Sequence, residues 1–239
     1  MASPLPPFVI TDTLDSARIT IYSEYLEDIE GDVRLQDLLA GQHDARFQPA
    51  RASSEFLGFS ANTWWLRLAL SNSTEQMQHL LLNLTPGLFS DIRFYYTDEQ
   101  GRYQEKRAGT RNDPPWADLR YRSPVFNVDL PAGSTRIYYL RVVPDRHMSY
   151  TLRLNTVEHQ LQSSLRIDGL FLLLTGVILG LVLYNAALFA QYRSCAHLYY
   201  SAFLSALALA ALSGGGFIGV QYLPLPHLQP HMEATATLL

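Results

Sequence analysis

Three groups of side chains in this chain could bind something, and none is spaced to catalyse. The first is the proline-braced run RNDPPWADLRYRSP (111–124), where Trp116, Arg120 and Tyr121 stand together. Aromatic faces stack on the C–H faces of sugars, and Arg and Asp hydrogen-bond hydroxyls, so this loop could be a sugar platform. The other reading is a loop whose Trp116 merely plugs the end of a sandwich. The second group is Asp28, Glu30 and Asp32 around Gly31 in LEDIEGDV. Alternating carboxylates could offer oxygens to calcium, although the twelfth-position glutamate of an EF-hand loop is missing and a solvated acidic turn reads the same way. The third is Trp65 and Arg67, which would line a ligand surface or pack beneath a helix. The chain has no GxSxG, no HExxH and no phosphate-cradling glycine loop, and its seven histidines are dispersed. No cofactor is implied unless calcium is one. A pair of distant carboxylates acting on a glycan remains the enzymatic alternative.

The elements that must position these groups divide the chain sharply. Residues 1–168 hold 38 of the 40 formal charges, and residues 169–239 hold only Arg193 and Glu233. A uniform water-soluble globule does not have that distribution. The net charge of −4 with scattered basic residues leaves no electrostatic footprint for nucleic acid. One cysteine, Cys195, permits neither an intrachain disulfide nor a cysteine zinc cluster.

The soluble part, 18–157, reads as strands. In WWLRLALSN (64–72), Trp64, Leu66, Leu68 and Leu70 alternate with Trp65 and Arg67. Further strands are expected at 79–84, 91–97, 102–106, 125–130, 136–143 and 150–157, with a tight turn at TDEQG (97–101). A short helix is expected at 34–40, ending at Gly41. Short strands punctuated by Gly, Pro, Asn and Asp predict an antiparallel, jelly-roll-like β-sandwich, so the fold class is mainly β. Residues 1–17 carry no strand pattern and are expected to be a disordered or residual N-terminus.

Beyond the sandwich, 158–168 is expected to be a connecting helix leading without a flexible linker into a first span at 169–190. Those 22 uncharged residues reach about 33 Å as a helix, enough for a bilayer core. A second uncharged stretch, 198–220, follows after a short link holding Arg193, so the two form a transmembrane helical hairpin. Arg193 favours a cytoplasmic link, which places the sandwich outside the cell's inner membrane, in a periplasm. Gly176 and Gly180 form a GxxxG pair that could bring two copies together as a homodimer or simply be membrane glycines. Asn185, an amide at membrane depth, should face protein. MASPLPPFVI does not read as an export signal, so a truncated start is expected, the alternative being a first span that acts as a reverse signal-anchor, and 221–239 reads as a loop and a truncated end.

The ordered series YLEDIEGDVRLQDLLAGQHDARFQP (25–49), FLGFSANTWWLRLALSNST (56–74), LNLTPGLFSDIRFYY (82–96) and LPAGSTRIYYLRV (130–142), followed by 169–217, resembles bacterial seven-transmembrane receptors with diverse intracellular signalling modules (7TMR-DISM). The resemblance implies a sandwich similar to carbohydrate-binding modules outside the inner membrane. It also implies seven spans and a cytoplasmic output such as a histidine kinase or diguanylate cyclase, as in a two-component system. Trp65 and Arg67 match the family's Trp-x-Arg segment and Arg120 its later arginine. Gly109–Thr110 departs from the family's Gly-Asp. The expected function is the sensory input of a membrane receptor, non-enzymatic in itself. Its expected partners are a small glycan or ion and the lipid bilayer. The alternatives are a membrane-tethered glycan hydrolase and a scaffold that recruits a protein.

Overall fold

Strand formation follows the alternation of apolar residues, and the longest strands carry it most clearly. The structure is a computed structural model that describes residues 6–51, 56–85, 89–98, 100–112, 118, 123–145 and 147–214. The chain divides into two units, Met1–His159 and Gln160–Leu239.

The first unit is a sandwich of two sheets. The larger sheet is built on β6 (Thr63–Asn72), with β11 (Thr135–Pro144), β8 (Phe89–Thr97) and β9 (Tyr103–Ala108) following on one side. On the other edge of β6 lie β3 (Ser23–Asp28) and, beyond it, β4 (Gln48–Pro49). The smaller sheet runs β10 (Val125–Leu130), β7 (Gln78–Thr85), β13 (Thr151–Thr156) and β2 (Ser16–Arg18), and β5 (Phe56–Gly58) pairs with β12 (Met148–Ser149). All these pairings are antiparallel. The exception is β1 (Phe8–Ile10), which lies parallel to the last residues of β6. The sandwich expectation therefore holds.

One core fills the space between the sheets. Trp64, Leu66, Leu68 and Leu70 face Leu80, Leu82 and Leu84 across it, with Phe94 at the centre. The Phe94 ring lies 4.9 Å from Phe126 and 5.6 Å from Tyr138. Each fully buried side chain of this size contributes about 1.5–3 kcal/mol. After β9 the backbone turns at Gly109, whose φ is +114°. A Cβ there would lie 2.8 Å from the Ser90 carbonyl oxygen, so only glycine fits.

Two corrections concern the start of the chain. Residues 8–10 and 16–17, expected to be disordered or residual, are strands: Ile10 is fully buried and its carbonyl accepts the Ser73 hydroxyl at 2.7 Å. Three-residue strands are too short to show periodicity, and their order comes from edges supplied by distant β6 and β13. Strand β3 was not individually expected either, because its sequence SEYLED looks solvated. Its Glu24 is in fact buried against Arg67.

The second unit is helical. Helix α2 (Val157–Tyr192) begins on the residue after β13 and runs without interruption, so the connecting helix and the first span are one element. It is long and apolar enough to cross a membrane. Leu165, Leu170, Leu173, Val177, Leu179 and Leu183 are exposed, an apolar surface that water does not favour but lipid does. Arg193 takes a left-handed turn (φ +54°), its N–H bonding the Phe189 carbonyl at 2.8 Å. The chain then re-enters helix α3 (Cys195–Gly214), which is apolar as the hairpin requires. Residues 215–239, including the end of the expected second span, lie outside the described residues. Asn185 is buried as expected: its amide nitrogen donates to the Leu181 carbonyl at 2.9 Å, and its oxygen lies 3.3 Å from His197 Nδ1 on α3.

Candidate functional site

Alternation along β6 sends Trp64 inward and its neighbours Trp65 and Arg67 outward, which separates two environments on the two faces of one sheet. On the outer face the segment 33–47 folds back over the strand. It contains helix α1 (Leu35–Leu39), closed by Gly41 at φ +74°. The Gly41 N–H reaches the Leu38 carbonyl at 3.1 Å and the Gln42 N–H the Asp37 carbonyl at 3.0 Å. These are the two bonds of a Schellman cap. Val33, Leu38 and Phe47 cover Trp65, which is 1% exposed and stacks on Tyr95 at 5.7 Å.

Arg67 is buried in the same place. Its Nε donates to Glu24 Oε2 at 2.8 Å, its Nη2 lies 2.6 Å from the same oxygen, and its Nη1 donates to Asp44 Oδ1 at 2.5 Å. The guanidinium carbon sits 4.2 Å from the centre of the Phe47 ring. Burial opposes the positive charge, but the hydrogen bonds and charges of Asp44 and Glu24 outweigh it and hold the pKa above the ordinary arginine value. The structure therefore brings Trp65 and Arg67 together, as expected, but beneath a cover. Neither presents surface to a ligand, and their geometry is that of the packing alternative.

A cleft of about 210 Å³ opens on the inner side of the same sheet edge, lined by Tyr25, Glu27, Arg46, Gln48, Leu57 and Trp64. Strand β3 supplies Tyr25 and Glu27, the turn before β4 supplies Arg46, and β4 supplies Gln48. The Tyr25 hydroxyl donates to Gln48 Oε1 at 3.2 Å, and Glu27 Oε1 accepts from Ser60 at 3.0 Å and Asn62 at 2.8 Å. Arg46 donates to the Glu27 carbonyl at 3.3 Å. The Trp64 ring lies 6.0 Å from Tyr25, and its buried Nε1 has no hydrogen-bond partner among the described residues. Next to Leu57 on β5, Phe56 and the 85%-exposed Phe59 meet edge to face at 5.6 Å. His147 lies within 6.0 Å of Phe56. The cleft thus combines an aromatic wall, an apolar residue, a carboxylate, an amide and a guanidinium. That set suits a small hydroxylated ring and contains no assembled nucleophile.

The acidic group behaves differently from a metal cage. Asp28 is buried, with Oδ1 accepting the Gly31 N–H at 2.9 Å and Oδ2 the Val33 N–H at 3.2 Å, while Glu30 and Asp32 are exposed. Asp28 therefore shapes the turn into α1. Among the described residues no three His, Cys, Asp or Glu side chains gather as a metal site. Trp116, Arg120 and Tyr121 lie outside the described residues. Sequence reasoning passed over Tyr25, Glu27, Arg46 and Gln48. The available signal was the i, i+2 spacing of Tyr25 with Glu27 and of Arg46 with Gln48.

No curated protein matches the chain. Among solved structures, one described as a carbohydrate-binding module from the β-sandwich superfamily is 8% identical. That likeness covers 59% of this chain and 54% of the other, with a TM-score of 0.22. The cysteine peptidase Peruvianin-I from Thevetia peruviana latex is 15% identical over 64% of this chain and 66% of its own, with a TM-score of 0.20. The chain thus spans less than two thirds of either, and likenesses this slight carry no argument. Two family models do match: 7TM diverse intracellular signalling over residues 167–239, and 7TMR-DISM extracellular 2 over residues 20–156. A sandwich followed by an apolar helical segment is the order those two descriptions require, and the chain belongs to the 7TMR-DISM family of membrane signalling receptors, with its extracellular sensory domain first and its membrane-spanning region after it.

Proposed function

We propose that the sandwich senses a carbohydrate-like ligand in the Trp64 cleft and that binding there shifts the membrane helices. The cell's inner membrane would carry the helices, with the sandwich in the periplasm and an output module on the cytoplasmic side. The observation that carries the reading is the cleft itself. The Tyr25 and Trp64 rings, 6.0 Å apart, stand there beside the polar Glu27, Arg46 and Gln48. At about 210 Å³ the cleft is smaller than the usual small-molecule site of about 300–1,000 Å³, which favours a single ring or a chain end over an extended polymer. The ligand shifts the receptor only by its differential affinity for two arrangements.

The test is calorimetric titration of the full chain in detergent micelles with a panel of neutral mono- and disaccharides. A binding sugar should lose about tenfold or more in affinity when Gln48 is changed to Ala, which removes a hydrogen bond to the ligand, or Glu27 to Gln, which removes the charge that strengthens one. No binding across the panel, or binding indifferent to both changes, sinks the cleft as the sensory site. Turnover of a bound glycan would instead favour the hydrolase reading.

A further inference from the structure

The outer face of the larger sheet carries a row of charge that neither the cleft nor the covered Arg67 uses. Register places Arg141 of β11 beside Arg93 of β8, and Arg93 beside Arg107 of β9. Like charges at directly opposed positions destabilise a sheet. Three in succession therefore call for compensation, and among the described residues it is partial. Asp91 Oδ2 accepts from Arg93 Nε at 3.0 Å and from Arg141 Nη1 at 3.2 Å, while Glu105 accepts from Arg107. Within this group, three guanidiniums face two carboxylates, an excess of one positive charge.

The row is also graded. Side-chain exposure rises from 21% at Arg141 to 34% at Arg93 and 58% at Arg107. The innermost fork is fixed, through Asp91 and through Arg141 Nη2 to the Thr63 hydroxyl at 3.3 Å. The outer forks reach solvent. Asp91 itself is held by Asn112 at 3.2 Å, so the anchoring carboxylate is not free to swing away.

We propose that Arg93, Arg107 and Arg141 form a binding site for the oxyanion group of a small ligand: a carboxylate, sulfate or phosphate. A planar guanidinium fork matches two oxygens of such a group, and bidentate charge-assisted bonds are the strong ones. The bound group balances the excess charge, with Asp91 positioning two of the forks and Glu105 competing for the third. Either an acidic sugar or a free inorganic anion can bring that chemistry. The site is on the opposite face of the sheet from the Trp64 cleft and does not depend on the sugar reading.

The experiment titrates the full chain in detergent micelles with sodium sulfate, sodium phosphate and D-glucuronate, with D-glucose as the neutral control. The anions should bind in a salt-sensitive way. Arg93→Gln and Arg107→Gln should each weaken them about tenfold or more, and Arg102→Gln, at an exposed arginine outside the row, should leave sulfate and phosphate binding unchanged. Glu105→Gln should tighten anion binding several-fold, a gain that a merely damaged fold does not produce. Glucuronate binding more tightly than the inorganic ions assigns the group to an acidic sugar; the reverse order assigns it to a free anion. Melting curves identify any variant that fails to fold, and Arg107, the most exposed of the three, keeps the test decisive if Arg93→Gln does. The site is overturned if the anions do not bind, if Arg107→Gln binds them as the unmodified chain does, or if Glu105→Gln does not tighten them.

Discussion

Asp44 and Arg67 meet at 2.5 Å across the outer face of the larger sheet, and this contact ties the sheet to the turn that carries Arg46 and Gln48 into the cleft. Two residues beyond Asp44 the chain presents Arg46, and two further Gln48, so the ligand proposed for the cleft would pull on the segment that clamps Arg67. The clamp is unequal. Glu24 is 4% exposed and Asp44 43% exposed. Removing one partner of a buried ion pair leaves the other charge stranded, at a cost of roughly 3–5 kcal/mol. An exposed partner is worth about 1 kcal/mol or less. Glu24→Gln should therefore lower the thermal midpoint of the sandwich far more than Asp44→Ala. Equal losses in a melting experiment would show that the clamp is not organised around Glu24.

Tyr138 offers a test of the core that runs in the opposite direction. Its ring stacks on Phe94 at 5.6 Å with an interplanar angle of 9°, while its hydroxyl is buried with no partner among the described residues. Tyr138→Phe keeps the packing and removes a desolvated polar atom, so it should stabilise the sandwich by about 1 kcal/mol. Burial also raises the Tyr138 pKa from 10.0 to about 12. Burial likewise raises Tyr95, where the Glu105 hydrogen bond adds to the effect, and Tyr103, both to about 12. The unfolded chain gives up these protons first, so their stabilisation is complete below pH 10 and is lost as the pH climbs toward about 12. Denaturant melts at a series of alkaline pH values should show that decline. Tyr138→Phe should flatten it, and an unchanged slope would mean that Tyr138 is not protected.

What the sequence revealed and what it hid divide along one physical line. Strands of six residues or more whose inward face is apolar, such as β6 with Trp64, Leu66, Leu68 and Leu70, declare themselves by period, and so did the uncharged helices. Strand β3 did not, because its Glu24 is compensated by Arg67, 43 positions away, and no local pattern reports that pairing. The cleft draws Tyr25, Arg46, Leu57 and Trp64 from separate segments, and the arginine row takes one residue from each of three strands. Both exist only once register is set. Trp65 and Arg67 were legible as neighbours on one face, but the cover supplied by 33–47 was not, since it depends on where a short helix lands.

Within the helical unit, Asn185 and His197 link α2 to α3, and the Ser201 hydroxyl reaches the Val182 carbonyl at 3.3 Å. Hydrogen bonds between membrane helices are worth about 0.6 kcal/mol on average and up to about 1.7. Asn185→Leu should therefore loosen the hairpin modestly without abolishing it. Proteolysis of the reconstituted chain at the link around Arg193 should become faster. If the rate of cleavage is unaltered, the amide is not what fastens the two helices.

The helix α2 leaves β13 with no intervening residue and continues from Val157 to Tyr192, a run with no glycine before Gly169. A continuous helix passes on rotation and translation, whereas a flexible linker absorbs both. Inserting two glycines after Gln162 adds about 200° of helical phase and about 3 Å of length. It also places two residues there that each weaken a helix by about 1 kcal/mol. The single cysteine, Cys195, is exposed at the start of α3 and can carry one fluorophore. With a sugar that binds the cleft, the fluorescence change at Cys195 should vanish or reverse sign after the insertion, while the affinity of the sugar stays the same. A response of the same size and sign in the inserted chain would mean that α2 is not the transmitting element, whatever the sandwich binds.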